Sequence, residues 1–295
     1  MTYRTSLMMC AAAVAGMFLA LAPAAQAMEF VTIGNPGNAD DTHGDGYGGV
    51  AYTYRIGKYE VTADEWNASG VGDAADPHWT GSQPAAYFSW HEAAQFANWM
   101  TTGDKNNGYY TIDGSGNASI PSQSHYDYAQ ANGTTYFIPT EDEWYKAAYH
   151  KNDGVTGNYW DYPTGSNTAP TAEAPAGTDM TNGSANYNNA VGTVTDVGAY
   201  TAKPSDSPYG TFDQAGNVWE WNEALIGSSR GVRGGAFHKG ASDLQASHRV
   251  ADCAPTIEGK GIGFRVSEVV PEPATLALLG LGGVGLLARR RRSGR

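Results

Sequence analysis

The stretch Tyr209-Gly-Thr-Phe-Asp-Gln-Ala-Gly-Asn-Val-Trp-Glu-Trp221 decides how the rest of the chain is read. Its tryptophans, Trp219 and Trp221, need a core. Its acids are Asp213 and Glu220, the latter between the two tryptophans. Downstream, Val232 to Phe237 and Gly261 to Val266 read as strand pieces, and the glycines around them point to turns or close backbone approach. Upstream, Tyr52 to Val61 reads as a strand. The 38 glycines in 295 residues, nearly double the usual ~7%, argue against long helices and for a loop-rich domain.

Three short helices are written into the chain as capping boxes. Thr62-Ala-Asp-Glu65 precedes Trp66, Ser89-Trp-His-Glu92 precedes Ala93, Ala94 and Ala97, and Thr140-Glu-Asp-Glu143 precedes Trp144, Ala147 and Ala148. The apolar spacing 90, 93, 94, 97 and 144, 147, 148 gives each of the last two a single buried face. Between them lie long stretches rich in Gly, Asn, Ser and Thr, residues 102–135 and 151–200, which the interleaved Trp and Tyr would pack down. No internal repeat or linker divides the body, so one α+β domain with short helices and high coil content is expected over residues 28–269.

The ends read as addresses. Residues 1–27 have the form of a secretory signal: Arg4, an apolar stretch from Leu7 to Leu21, and Ala25-Gln-Ala27 as a small-x-small cleavage site. An uncleaved anchor is the alternative. Residues 270–295 carry Pro271-Glu272-Pro273, an apolar run from Ala274 to Ala288, then Arg289, Arg290, Arg291 and Arg292. Fifteen helical residues span roughly 22 Å against a hydrocarbon core of ~30 Å, so flanking residues or local thinning must close the gap. The arginines are expected to stay on the cytoplasmic side of the inner membrane. This tail resembles a PEP-CTERM sorting signal. That resemblance implies cutting by an exosortase-type enzyme and a final place at the cell surface or matrix of a Gram-negative bacterium, transiently membrane-anchored before processing.

The formal net charge is −12, which excludes a nucleic-acid binder because phosphate recognition needs a basic face. Six of the 18 basic residues but one of the 30 acidic ones lie outside residues 28–269, so the exported body carries −17. Such a domain favours cations. The two cysteines exclude a disulfide scaffold or a cysteine zinc cluster. Cys10 falls in the signal, which leaves Cys253 alone.

The order of motifs is similar to the formylglycine-generating enzyme (sulfatase-modifying factor) domain family over about residues 52–267. The match rests on Tyr54-Arg-Ile-Gly-Lys-Tyr-Glu-Val-Thr62, Pro84-Ala-Ala-Tyr-Phe-Ser-Trp90, Ile138-Pro-Thr-Glu-Asp-Glu-Trp144, Gly216-Asn-Val-Trp-Glu-Trp221, Arg233-Gly-Gly235 and Gly263-Phe-Arg265. It implies a variant of the C-type lectin fold with structural calcium. The family's enzymes oxidise a substrate cysteine and hold copper through a Cys-x4-Cys pair shortly after the Arg-Gly-Gly strand. Here that stretch, His238 to Arg249, contains no cysteine. Soft thiolates are what hold Cu(I), so no copper and no oxidase activity are expected. His238, His248 and Cys253 match no standard ligand spacing, and His91-Glu-Ala-Ala-Gln95 lacks the second histidine of a zinc-protease helix.

The resemblance also carries calcium ligands across. One set maps to Asp213, Glu220 and the carbonyls of Gly216 and Val218. A second maps to Asn186, Tyr187, Asn189 and Val191. The alternative for Glu220 is a structural hydrogen-bond acceptor. Trp79, Tyr109, Tyr110, Tyr159 and Trp160 lie in loops and either stack on sugar rings or pin those loops down. The function expected is a non-catalytic surface module that binds exopolysaccharide or a protein. The alternatives are a formylglycine-generating-type oxidoreductase and a structural surface protein without a specific ligand.

Overall fold

The computed structural model describes residues 28–42, 46–73 and 79–271. The signal segment and the tail from Glu272 to Arg292 lie outside them. Among the described residues no helix is long and apolar enough to cross a membrane.

All three capping boxes form. Thr62 caps α1 (Ala63–Ser69), Ser89 caps α2 (Trp90–Thr102) and Thr140 caps α4 (Glu141–Tyr149), each with the Glu at the third position reaching back to the cap N–H. A fourth helix, α3 (His125–Asn132), lies in the stretch expected to be loop. It buries only His125 and Ala129, so its sequence carries little apolar periodicity.

Two four-stranded sheets frame the core. In the first, β1 (Phe30–Ile33), β2 (Tyr54–Gly57), β12 (Ser267–Val269) and β5 (Thr135–Phe137) lie in that order, so the last strand of the domain is an interior one. The second has the order β10 (Val250–Cys253), β9 (Ser229–Arg233), β8 (Trp219–Ile226), β11 (Ile262–Gly263). Its β8–β11 pair is parallel, through Ile262↔Trp219 and Gly263↔Glu220. Two small ladders, β3 (Thr111–Ile112) with β4 (Ala118–Ser119) and β6 (Thr171–Ala172) with β7 (Ser184–Ala185), are all the regular pairing in the long loops. The strand expected at 232–237 ends at Arg233, because Gly234 and Gly235 turn the chain away with φ of 95° and 79°.

Aromatic rings fill the space between the sheets and α2. Trp66 stacks on Phe88 at 4.2 Å, and Phe264 meets Phe88 and Phe96 edge-on. The helices are also tied by a buried charge relay. His125 Nδ1 lies 3.0 Å from Glu143 Oε2, and its Nε2 lies 3.1 Å from Glu223 Oε2, off the axis of a hydrogen bond. Tyr52 donates to Glu143 and Tyr110 to Glu223. The imidazole is pushed up to about 10: burial alone would lower it, and the two carboxylates outweigh that.

Candidate functional site

The segment that follows β9 builds an exposed face. His238 is exposed, a short 3₁₀ turn spans Ala241–Leu244, and His248 stacks on Trp219 at 5.7 Å. The Trp219 N–H donates to the Gly261 carbonyl at 2.8 Å, and a Cβ added to Gly261 would meet the His238 ring at 3.5 Å. Gly263 has no room for a side chain, since a Cβ there would come within 2.6 Å of the Ala85 carbonyl. That close approach lays residues 84–88 alongside β11. On this loop Tyr87 is 46% exposed with φ +67°, between Ala86 and Phe88, which are fully buried. A bulky residue in the left-handed region is held there by its surroundings. Ile257, 40% exposed, adds a second apolar group from the segment that follows β10. Cys253 is half-buried on β10, with its thiol pushed up by burial and then by Asp252. It lies beyond the His238–Arg249 stretch and is the one cysteine among the described residues.

Next to α2, His91, Glu92, Gln95, Asn117 and Glu258 line a polar recess of about 310 Å³. His91 Nδ1 accepts the Ala118 N–H and Gln95 Nε2 donates to the Gly116 carbonyl, so the metalloprotease-like spacing serves local hydrogen bonding.

Behind the exposed face lies a buried ionic cluster. Glu220 is fully buried and receives Arg265 Nε and Nη2, each at 2.7 Å, and Trp144 Nε1 at 2.7 Å. Arg265 spends its other donors on the carbonyls of Gly57 and Phe212. Glu60, also buried, accepts Asn217 Nδ2 at 2.6 Å and the Val218 N–H at 3.1 Å. Burial, then Asp213 and Glu220, hold its carboxyl well above the usual range, and burial pushes Asp213 up to about 6. Three carboxylates thus surround one guanidinium.

Asn217 links the two calcium sets: it stands between Gly216 and Val218 of the first, and its Oδ1 accepts Asn186 Nδ2 of the second at 3.2 Å. Asp213 takes φ +65° and accepts the Gly198 N–H through Oδ2. Gly216, at φ +102°, passes so close to the Asn186 carbonyl that a Cβ would reach 2.2 Å. Glu220 uses three of about four lone-pair positions, which leaves one on Oε1. In the second set Asn186 Oδ1 is buried with no hydrogen-bond partner, while its Nδ2 binds Thr193 and Asn217. Tyr187 donates to the Pro170 carbonyl, Asn189 is exposed at φ +55°, and Val191 is half-buried. Among the described residues no three His, Cys, Asp or Glu side chains converge as a metal site. Either set would therefore rely on carbonyl and amide oxygens. In the first set two carboxylates face one guanidinium, and that surplus, like the orphaned oxygen in the second set, fits a hard divalent cation. Glu60 and Asn217 were not singled out from the sequence, although both stand inside quoted motifs.

Four of the five aromatic residues expected as stacking candidates are core residues. Trp79, Tyr109, Tyr110 and Tyr159 are 3%, 4%, 1% and 1% exposed, so no ring face is open to a sugar. Trp79 meets Phe237 edge-on, Tyr109 packs on His125 and Phe137, and Tyr159 donates to the Ala39 carbonyl. Trp160 is half-buried and carries Lys151 Nζ 3.9 Å over its ring. Pro271 is the last described residue of the tail.

A family described as "Sulfatase-modifying factor enzyme 1-like domain" matches residues 47–269, and one described as "PEP-CTERM protein-sorting motif" matches 269–292. Among solved structures, "Treponema denticola variable protein 1" is similar at 23% identity and a TM-score of 0.55, over 81% of this chain and 94% of that one. "CarF" gives 21%, 0.51, 83% and 99%, and "PvdO from Pseudomonas aeruginosa" gives 18%, 0.51, 82% and 92%. At these identities the shared property is the fold. No curated protein matches.

Proposed function

Because the chain belongs to the sulfatase-modifying factor enzyme 1-like domain family, with its variant of the C-type lectin fold, we propose that it is an exported binding module that does not perform the family's cysteine oxidation. The carrying observation is the single thiol of the mature body, Cys253, where a copper bis-thiolate needs two. Exposed Tyr87, Ile257 and His238, with half-buried His248, are side chains available for contact. The PEP-CTERM motif indicates export, processing by an exosortase-type enzyme and sorting to the surface. Before processing, the apolar run from Ala274 to Ala288 holds the domain at the inner membrane.

The ligand class is a neutral exopolysaccharide. A body of net charge −17 repels polyanions, whereas Tyr87 and the open part of Trp160 offer apolar ring faces. In a glycan-binding screen, purified protein is expected to retain a neutral polysaccharide, and Tyr87→Ala or Trp160→Ala to weaken it at least about tenfold, worth ~1.4 kcal/mol, with an unchanged melting temperature. Unaltered binding in both variants would leave a structural surface protein as the better reading. Stoichiometric copper with turnover of a peptide thiol would restore the oxidase.

Structural calcium is part of the same proposal. Asp213, Glu220 and the Gly216 and Val218 carbonyls would hold one ion, and Asn186 with neighbouring carbonyls a second. Bound calcium would neutralise surplus carboxylate charge and stabilise the folded state by mass action. Chelation is expected to lower the melting temperature, and Asn186→Ala to remove part of that dependence. An identical melt with and without chelator would sink the calcium proposal.

A further inference from the structure

We infer that the folded domain itself limits where and how fast the sorting motif is processed, because its last strand locks the chain up to Val269 and leaves Val270 as the whole connector to Pro271-Glu272-Pro273. The inference rests on the reading of that motif as a signal cut by an exosortase-type enzyme.

β12 lies between β2 and β5, so its backbone is paired on both sides: Ser267↔Ile56 and Glu268↔Arg55 on one, Ser267↔Phe137, Glu268↔Tyr136 and Val269↔Thr135 on the other. Its side chains are tied as well. Ser267 donates to Glu143, Glu268 pairs with Arg55 at 2.5 Å, and Val269 is fully buried. Just upstream, the Val266 carbonyl accepts the Gly57 N–H at 2.7 Å. The next residue, Val270, is 47% exposed. Strand pairing therefore ends at Val269, with Val270 alone between it and Pro271.

An enzyme that cuts a peptide generally takes it extended, through main-chain hydrogen bonds and side-chain pockets on alternate residues. Within β12 those main-chain groups are already used. One free residue spans at most ~3.6 Å, so the enzyme either approaches to within contact of the sheet end or waits for the Val269 pair to open. Whichever bond is cut, its carbonyl carbon passes to the enzyme's nucleophile and then to water or an acceptor amine. The amine end leaves with the arginine-rich tail. Cutting upstream of Val270 would remove an interior strand, and the fold protects against it.

The test uses the full chain in a Gram-negative host with an exosortase-type enzyme, beside a variant with Gly-Ser-Gly-Ser inserted between Val270 and Pro271. Pulse–chase gives the processing rate and intact mass gives the new C-terminus. The native chain is expected to end at Val270 or later, and the insertion to speed processing severalfold. A mature C-terminus within residues 262–269, or equal rates in both forms, overturns the inference while the sorting reading stands. A chain shortened in neither form overturns the sorting reading and the inference together. Subtilisin digestion of the purified full chain gives a second readout: cuts within residues 262–269 would also overturn it.

Discussion

Arg265→Leu is expected to lower the unfolding free energy by about 3–5 kcal/mol, the usual cost of removing one partner from a buried ion pair. At about 2–4 °C per kcal/mol for a domain of this size, the melting temperature should fall by about 6–20 °C. The cause is what the guanidinium leaves behind. Glu220, with no exposed surface, loses both of its 2.7 Å bonds to Arg265, and the carbonyls of Gly57 and Phe212 lose their donors. Glu60 and Asp213, already held above the usual carboxylate range by burial, lose the cation that offsets their mutual repulsion. The sign with pH follows. These carboxyls bind protons more tightly in the folded than in the unfolded state, so protonation favours the fold. The deficit of Arg265→Leu should therefore be largest near pH 7 and shrink as pH falls through about 6, where Asp213 takes up its proton. Denaturant unfolding at pH 7.5 and 5.5 measures this. A loss under about 1 kcal/mol, the size of an exposed pair, would mean that the pair is not structurally essential.

The same residues explain what was legible in the sequence. The capping boxes were, because a hydroxyl and a Glu three residues apart act locally: Thr62/Glu65, Ser89/Glu92 and Thr140/Glu143 close as expected. The Gly-Asn-Val-Trp-Glu-Trp and Gly-Phe-Arg elements announced the fold, and the structure gives their physical link, since Glu220 of one binds Arg265 of the other. The interior strand Ser267–Val269 was not legible, because three residues carry no measurable period and its pairing partners lie over 120 residues upstream. Helix α3 was missed for a related reason. Its anchor is a charged histidine held by carboxylates from two distant elements, which no apolar pattern reports. The loop aromatics were ambiguous because a ring that pins a loop and a ring that meets a ligand have the same spacing. Burial separates them: Tyr159 is inside, whereas Tyr87, between buried Ala86 and Phe88, is outside.

His125→Leu tests that anchor and should cost about as much as the loss of Arg265, about 3–5 kcal/mol. The side chain is 2% exposed at the start of α3, where a cation opposes the helix dipole, so only Glu143 and Glu223 hold it charged. Without it two carboxylates face each other in a pocket otherwise closed by Phe137, stacked at 3.9 Å, and by the hydroxyls of Tyr52 and Tyr110. The imidazole is raised to about 10 in the fold against about 6.5 unfolded. Its contribution is therefore fully present below about pH 6.5 and is lost as pH rises through about 10. Glu143 moves the other way, lowered by His125 despite burial, so its contribution is present above its unfolded value of about 4.5 and is lost as pH falls. The native protein should lose stability between pH 7 and 10, and His125→Leu should lose much less over that range. At pH 4 the variant's deficit should narrow, because Glu143, no longer held down by His125, can then take up a proton and the repulsion falls. Parallel slopes for the two proteins from pH 7 to 10 would mean that His125 is neutral in the fold, and α3 would then be held by Phe137 and Ala129 alone.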